Sequence, residues 1–203
     1  MEAYIGRPLG EVPTLVFVRH GQTDWNAEGR LQGQRDIPLN DIGRGQARRN
    51  GVTIAEAIPE AAGFDFVSSP LSRARETMEL VRTTMGLDPS RYAVDARLLE
   101  ITFGELEGYT YQDMEEREPG WLAMRHANKW NFLPPGGESY HMLSDRILGW
   151  LQEVKRPTVV VAHGGVGRVL RTHLLGIDKL VSVEQDFPQD HVLLWRDGKG
   201  EWL

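Results

Sequence analysis

The sequence predicts an α/β fold: a three-layer αβα sandwich built on a mostly parallel sheet. Three observations carry this. Apolar runs of strand type recur at 14–18, 64–67 and 157–162, with weaker ones at 92–94 and 192–195. Stretches with helical spacing lie between them, and strands that alternate with helices form mainly parallel sheets covered on both faces. No internal repeat, low-complexity tract or linker interrupts the 203 residues, so a single domain over 1–203 is expected.

The elements follow in order. Leu15-Val16-Phe17-Val18 ends at Arg19-His20-Gly21-Gln22-Thr23, where Gly21 lets the backbone turn sharply and leaves room for a ligand. Asn40 reads as the N-cap of a helix to about Ile58, with Ala47, Ile54, Ala55 and Ile58 on one face. After the second strand, Ser69 reads as a cap and Pro70 as the first helical residue. That start puts Arg73 in the first turn, where its side chain tilts back to the helix mouth, an anion-binding position. Leu98-Leu99-Glu100 places a carboxylate after a short strand. The segment at about 105–137 breaks the alternation and reads as an inserted cap. Glu138-Ser139 then opens a helix with Leu143, Ile147, Leu151 and Val154 at helical spacing, and Trp150 and Leu151 read as core. Val161-Ala162-His163-Gly164-Gly165 is a buried strand with a histidine at its tip, followed by a helix that stops at Gly176.

Composition narrows the function. A hydrophobic share of 40% and a charged share of 26% are those of an ordinary globular protein. No apolar run approaches the roughly 20 residues that span a bilayer. Met1–Arg7 lacks the basic start and apolar stretch of an export signal, so a cytoplasmic protein is expected, without a membrane partner. There is no cysteine, hence no disulfide, thiolate metal site or cysteine nucleophile. The net charge of -6 argues against nucleic acid, and an anion site must be a local cluster of cations.

Such a cluster is at hand. Arg19, His20, Arg73, His163 and Glu100, with two helix N-termini, fall at the carboxyl ends of the strands, where open α/β sheets bind ligands. Taken singly, a strand-end histidine is more often structural, Arg73 and Arg75 read as a solvated helix face, and Glu100 as a surface carboxylate. Their convergence decides. Phosphoryl transfer spreads charge over three equatorial oxygens, so its catalysis is mostly positioning and fixed positive charge. Nearby cations keep an imidazole neutral and free to attack phosphorus, and a glutamate beside a dianion is raised into the range of a proton donor. No metal or cofactor is required. His126, His141, His173 and His191 read as structural or surface residues, and Arg168 and Arg171 as facing solvent or pairing with acids.

These residues resemble the histidine phosphatase superfamily, in its phosphoglycerate-mutase-like branch. The resemblance rests on Arg19-His20-Gly21-Gln22-Thr23-Asp24-Trp25-Asn26, Gly29-Arg30-Leu31-Gln32-Gly33, Asp36-Ile37-Pro38-Leu39, Ser68-Ser69-Pro70-Leu71-Ser72-Arg73-Ala74, Pro134-Pro135-Gly136-Gly137-Glu138-Ser139 and Ala162-His163-Gly164, in order over about 14 to 175. It implies a six-stranded sheet and His20 as the nucleophile that becomes phosphohistidine. Arg19, Arg73 and His163 would bind the phosphoryl group, Glu100 would be the general acid and later the base, and Asn26 and Gln32 would line the phosphate pocket, with Gly21 and Gly164 beside it. The partner implied is a small phosphomonoester, with a homodimer left open.

One departure separates activities. The branch's mutases follow the acid with Arg-His-Tyr-Gly, whereas Glu100 is followed by Ile101-Thr102-Phe103-Gly104, closer to its phosphatases. The chain is also shorter than the typical mutase. Hydrolysis is expected, with a mutase-type phosphotransferase as the alternative and a non-catalytic phosphate-binding domain behind it. In the cap, Glu105 to Glu118 holds six acids and one base. The plain reading beyond it is an amphipathic helix with Trp121 and Met124 packed. The sharper one has Arg125, His126 or Lys129 contacting a second anionic group, with a KM effect selective for bisphosphates or phospho-acids over a neutral aryl phosphate.

Overall fold

The computed structural model describes residues 12–203; Met1–Arg7 and the expectation attached to them lie outside the described residues. Six strands appear there: β1 (Leu15–Arg19), β2 (Asp65–Ser68), β3 (Ala93–Val94), β4 (Thr158–Ala162), β5 (Val192–Arg196) and β6 (Lys199–Trp202). They form one sheet in the order β3-β2-β4-β1-β5-β6. The pairs from β3 through β2 and β4 to β1 are parallel, while β5 runs antiparallel to β1 and β6 antiparallel to β5. Five strands therefore share one direction, and the mostly parallel six-stranded sheet is as expected.

β6 is the strand that apolar patterning does not announce, because all four of its residues are exposed. Its signal is the turn: Asp197 and Gly198 both have positive φ, the tight Asp-Gly hairpin that joins two antiparallel strands.

Side-chain alternation along β1 builds the two flanking layers. Val16 and Val18 pack against α2 (Asp41–Ala57) and α3 (Ser72–Thr84). Leu15 and Phe17 face the other way, into α6 (Tyr140–Leu151) and α7 (Gly164–Leu175). Three of the helix limits follow the patterning closely. The Asn40 side chain caps α2 by accepting from Gly43 N–H, Ser139 caps α6 by accepting from Met142 N–H, and Gly176 ends α7 in the left-handed conformation at φ 62°. Val154 lies beyond the end of α6.

α3 departs from expectation. It begins at Ser72, not Pro70, and Ser69 does not cap it. Asp36 takes that role, its Oδ1 accepting from Ser72 N–H (2.8 Å) and Ser72 Oγ (2.7 Å), so a carboxylate already occupies this helix mouth. Shorter helices complete the chain: α1 (Asp24–Ala27), α4 (Tyr111–Arg117), α5 (Trp121–Ala127) and α8 (Lys179–Glu184). α4 and α5 lie in the 105–137 segment, whose Leu106, Met114 and Trp121 form a small cluster with Leu31. There Trp121 is packed as expected, but Met124 is 52% exposed and the neighbouring Arg125 is buried instead.

Candidate active site

Parallel pairing of β1 with β4 brings the two motif histidines side by side. Arg19 registers against Ala162, and His20 N–H donates to the Ala162 carbonyl at 2.9 Å, so His20 and His163 are the first residues past adjacent strand ends. Their rings meet edge-on with centroids 5.1 Å apart. Ser69 leaves β2 at the same level, its N–H bonded to the Val161 carbonyl and its Oγ 2.7 Å from His163 Nε2. Ser69 therefore orients a histidine, where the sequence suggests a helix cap.

The contacts of His20 assign its tautomer. Nδ1 lies 2.7 Å from the Gly21 carbonyl, which only accepts, so the proton is on Nδ1. Nε2 in turn accepts from Arg73 Nε at 3.2 Å. Burial, with the charges of Arg73 and Arg19, pushes the His20 pKa well below the usual histidine range. The ring is thus neutral near pH 7, with its lone pair on Nε2. Burial also pushes His163 well below that range, reinforced by Arg73, His20 and Arg19.

Both arginines are held by main chain. Arg73 is fully buried, and its Nη1 and Nη2 donate to the carbonyls of Arg35 and Gly33, each at 2.7 Å. Arg19 Nη1 donates to the Phe187 carbonyl at 2.6 Å. Burial, with Arg168 beside it, pushes the Arg19 pKa down to about 10, which leaves it charged at neutral pH.

Glu100 reaches the same place from a loop. It follows a 3-10 turn over Ala96–Leu98, so it does not stand at a strand end as the sequence suggests. Its Oε2 accepts from Gly165 N–H (3.1 Å) and its Oε1 from Ile101 N–H (2.9 Å), which seats the carboxylate on the first turn of α7. A Cβ on Gly165 would overlap Glu100 Oε1, so a larger residue there would displace the carboxylate. Arg146 holds the loop by donating to the carbonyls of Arg97 (2.6 Å) and Leu99 (2.8 Å), and is itself paired with Glu138 at 2.6 Å. The Pro-Pro-Gly-Gly-Glu-Ser motif therefore acts on the site through this pair.

The remaining expected residues divide. Asn26 Oδ1 accepts from Thr23 and from Gln189 Nε2 (3.0 Å). Gln32 adjoins the turn that holds Arg73 and is nearly buried. The carbon of Gly164 lets two cations close in: a Cβ there would lie 3.2 Å from Arg168 Nη1 and 3.3 Å from Arg19 Nε. Gly21 is corrected. A Cβ on it would overlap the Gly43 carbonyl, and its N–H donates to Thr77 Oγ1 at 3.1 Å. Its open side belongs to the packing of α2, not to a ligand. Arg168 pairs with an acid, Asp186 at 4.0 Å, as one of its two expected readings has it, and its Nη1 also lies against Gly164 beside Arg19. Its place one turn into α7 was the available signal, because side chains there lean toward the helix N-terminus. Among the described residues, four buried side-chain polar atoms lack a hydrogen-bond partner: Arg19 Nε, Gln32 Oε1, His163 Nδ1 and Arg171 Nε. Three of the four belong to the site.

A mostly parallel α/β sheet thus brings two neutral histidines, the buried Arg73, the partly buried Arg19 and a loop carboxylate together beyond its strand ends, a set suited to a small anion. The chain belongs to the histidine phosphatase superfamily (branch 1), whose family profile matches residues 15–199. It is 37% identical over 179 residues to a glucosyl-3-phosphoglycerate phosphatase of Mycolicibacterium vanbaalenii, covering 82% of this chain and 76% of that protein. It is 35% identical to a metal-independent phosphoserine phosphatase of Arabidopsis thaliana, over 79% of this chain and 68% of the relative. A protein of Salmonella paratyphi C named probable phosphoglycerate mutase GpmB matches at 35% identity, over 80% and 75%. Among solved structures, the native mycobacterial glucosyl-3-phosphoglycerate phosphatase superposes with a TM-score of 0.73 at 30% identity, covering 90% of this chain and 89% of the other.

Proposed function

We propose that the protein is a metal-independent phosphatase that hydrolyses small phosphomonoesters through a phosphohistidine on His20. The observation that carries this reading is the set of unpartnered buried atoms. Arg19 Nε, Gln32 Oε1 and His163 Nδ1 lack partners, the first and last of them where β1 and β4 end side by side. A buried polar atom left unpaired costs about 1–3 kcal/mol, which a bound phosphoryl group relieves. For Gln32 the amide nitrogen is the donor once the side chain is flipped. Ser69 Oγ–H donating to His163 Nε2 leaves Nδ1–H as a donor to the anion.

The reaction follows from the tautomer. His20 Nε2 attacks phosphorus, with Arg73 Nε moving from the nitrogen lone pair to a phosphoryl oxygen. The P–Nε2 bond forms as the P–O bond to the alcohol breaks, and Glu100 supplies the proton to the leaving oxygen. Arg19, Arg73 and His163 hold the three equatorial oxygens while charge builds on them. Water then enters where the alcohol stood. Glu100 takes its proton, oxygen bonds to phosphorus, the P–Nε2 bond breaks, and inorganic phosphate leaves.

The mutase reading is weaker on one observation. Ile101 is buried and Thr102 Oγ1 donates to Glu107, so this loop offers no cation or phenol to hold a phosphoglycerate. The experiment is trapping with labelled substrate. Acid-labile phosphate on His20 that turns over to inorganic phosphate supports the proposal, transfer to an acceptor with little free phosphate supports the mutase, and no labelling overturns both. We further assign the protein to the cytoplasm, without nucleic-acid or membrane partners and with a homodimer open to sedimentation measurements. No helix of the described residues is long and apolar enough to cross a membrane.

A further inference from the structure

We propose that Gln189 is a positioning residue: its side-chain amide bridges the carbonyl of His20 and the side chain of Asn26, and so sets the Asn26 Nδ2 donor against the phosphoryl group that His20 receives. That phosphoryl group rests on the phosphatase reading above.

The fold brings Gln189 to the site from far along the chain. Antiparallel pairing sets Val192 of β5 against Val18 of β1, so the residues before β5 pass the end of β1, where His20 follows. This segment is fastened by its main chain. The Phe187 carbonyl accepts from Arg19 Nη1 at 2.6 Å, and the Gln189 carbonyl accepts from Nδ2 of the buried Asn50 at 3.0 Å. The Gln189 side chain then meets two acceptors, its Nε2 donating to the His20 carbonyl at 3.1 Å and to Asn26 Oδ1 at 3.0 Å. Among the described residues no main-chain N–H reaches the His20 carbonyl, so this amide is its hydrogen-bond partner.

The chemistry of the contacts fixes each amide. The His20 carbonyl only accepts, so the Gln189 atom beside it is the nitrogen, and the Asn26 atom that this nitrogen also meets is the oxygen. Thr23 N–H agrees, donating to the same Asn26 oxygen at 3.2 Å. Asn26 Nδ2 is thereby turned away from all of them, and among the described residues it has no hydrogen-bond partner. Thr23 and Asn26 form the capping box of α1, a four-residue helix without a buried residue, which orients the amide only within its own turn. Gln189 supplies the tie from the Asn26 side chain to the rest of the described structure. It makes that tie through the carbonyl of His20, so nucleophile and anion donor share one hydrogen-bonding nitrogen. An amide nitrogen held at a phosphoryl oxygen donates a charge-assisted hydrogen bond, which a displaced or reversed amide does not.

The test is a double-mutant cycle on the full chain, read by calorimetry with inorganic phosphate as the probe. Asn26→Ala removes the donor and should weaken phosphate about tenfold, the low end for a charge-assisted hydrogen bond. Gln189→Met keeps the side-chain length and donates nothing. It should weaken phosphate severalfold in the native background and less than about twofold when added to Asn26→Ala. A merely structural role gives the same factor in both. If circular dichroism shows that Gln189→Met disturbs the fold, Gln189→Glu takes its place. Its carboxylate faces two oxygens where an amide donated, and should weaken phosphate more in the native background than beside Asn26→Ala. Unchanged affinity in the folded Gln189→Met protein, or equal factors in both backgrounds, overturns the assignment. Because the readout is binding, the expected cycle in a protein that never hydrolyses an ester would refute the phosphatase reading and leave Gln189 in its role. Turnover with equal factors would refute Gln189 alone.

Discussion

The histidine pocket at the strand ends, proposed to bind phosphate, and the expected insertion at 105–137 differ in how their charged groups are held. In the pocket, His20, Arg73 and His163 are essentially buried and stand on strand ends or the first turn of a long helix. Each is anchored by main chain or by a neighbour that is: Gly21, Gly33 and Arg35 carbonyls for His20 and Arg73, and Ser69 for His163. In the insertion, Tyr111 and Arg125 ride on two helices of seven residues each, packed over a cluster of four buried apolar side chains. The contrast is one of support. The pocket's charged groups are placed by the sheet and the helices that follow it, while those of the 105–137 segment sit on short helices over a separate apolar cluster.

The largest break of this contrast is His20→Ala, expected to lower kcat by about 10⁴-fold or more and to abolish trapped phosphate, without moving the insertion. Glu100→Gln should cost about 10²–10⁴-fold with an alkyl phosphate, and far less with p-nitrophenyl phosphate, whose leaving group needs no proton. Equal losses with both would remove the acid role from Glu100. Gly165→Ala forces a methyl onto the Glu100 carboxylate, and a displacement of about 1 Å is worth up to about 10²-fold in kcat. Circular dichroism separates that loss from unfolding.

Smaller effects sharpen the comparison. Arg146→Ala releases the Glu100 loop and leaves the partly buried Glu138 unpaired, and should lower stability by about 1–3 kcal/mol with a severalfold fall in kcat. Its signature is a kcat change with little change in KM. The pH dependence has a definite sign. His20 and His163 titrate well below 6.5 in the native state, so the unfolded chain binds more protons as pH falls through 6.5. Stability is therefore full above that pH and declines toward acid, whereas the native imidazoles stay neutral and active to a lower pH. Melting temperature and kcat/KM measured in parallel from about pH 5 to 8 should show melting fall first. Chelation with EDTA should leave turnover unchanged, and a need for a divalent ion would overturn the mechanism.

Much of this was open to reading in the chain. The five apolar runs became strands, and Asn40, Ser139 and Gly176 marked helix ends through local hydrogen bonding and φ preference that need no tertiary partner. β6 and α8 were hidden, since one is exposed along its length and the other is a six-residue helix without apolar periodicity. Gly21 was misread because the atom that forbids a side chain there, the Gly43 carbonyl, lies 22 residues on. Met124 and Arg125 exchanged roles because hydropathy ranks a methionine inward and cannot register a cation stacked on Tyr111.

The sequence by itself determined which candidate groups are available for chemistry: Arg19 and His20 after one apolar run, His163 after another, Arg73 early in a helix and Glu100 after Leu98-Leu99. Local propensity and residue type suffice for that, since each lies beside its own strand or cap. The tertiary structure decided what those groups become. Parallel pairing set His20 against His163, the 33–35 turn drew Arg73 onto His20 Nε2, and Gly165 admitted Glu100 to α7. Burial at that junction made both imidazoles neutral. Electrostatics depends on through-space distance and on the exclusion of water, and neither is a property of neighbours along the chain.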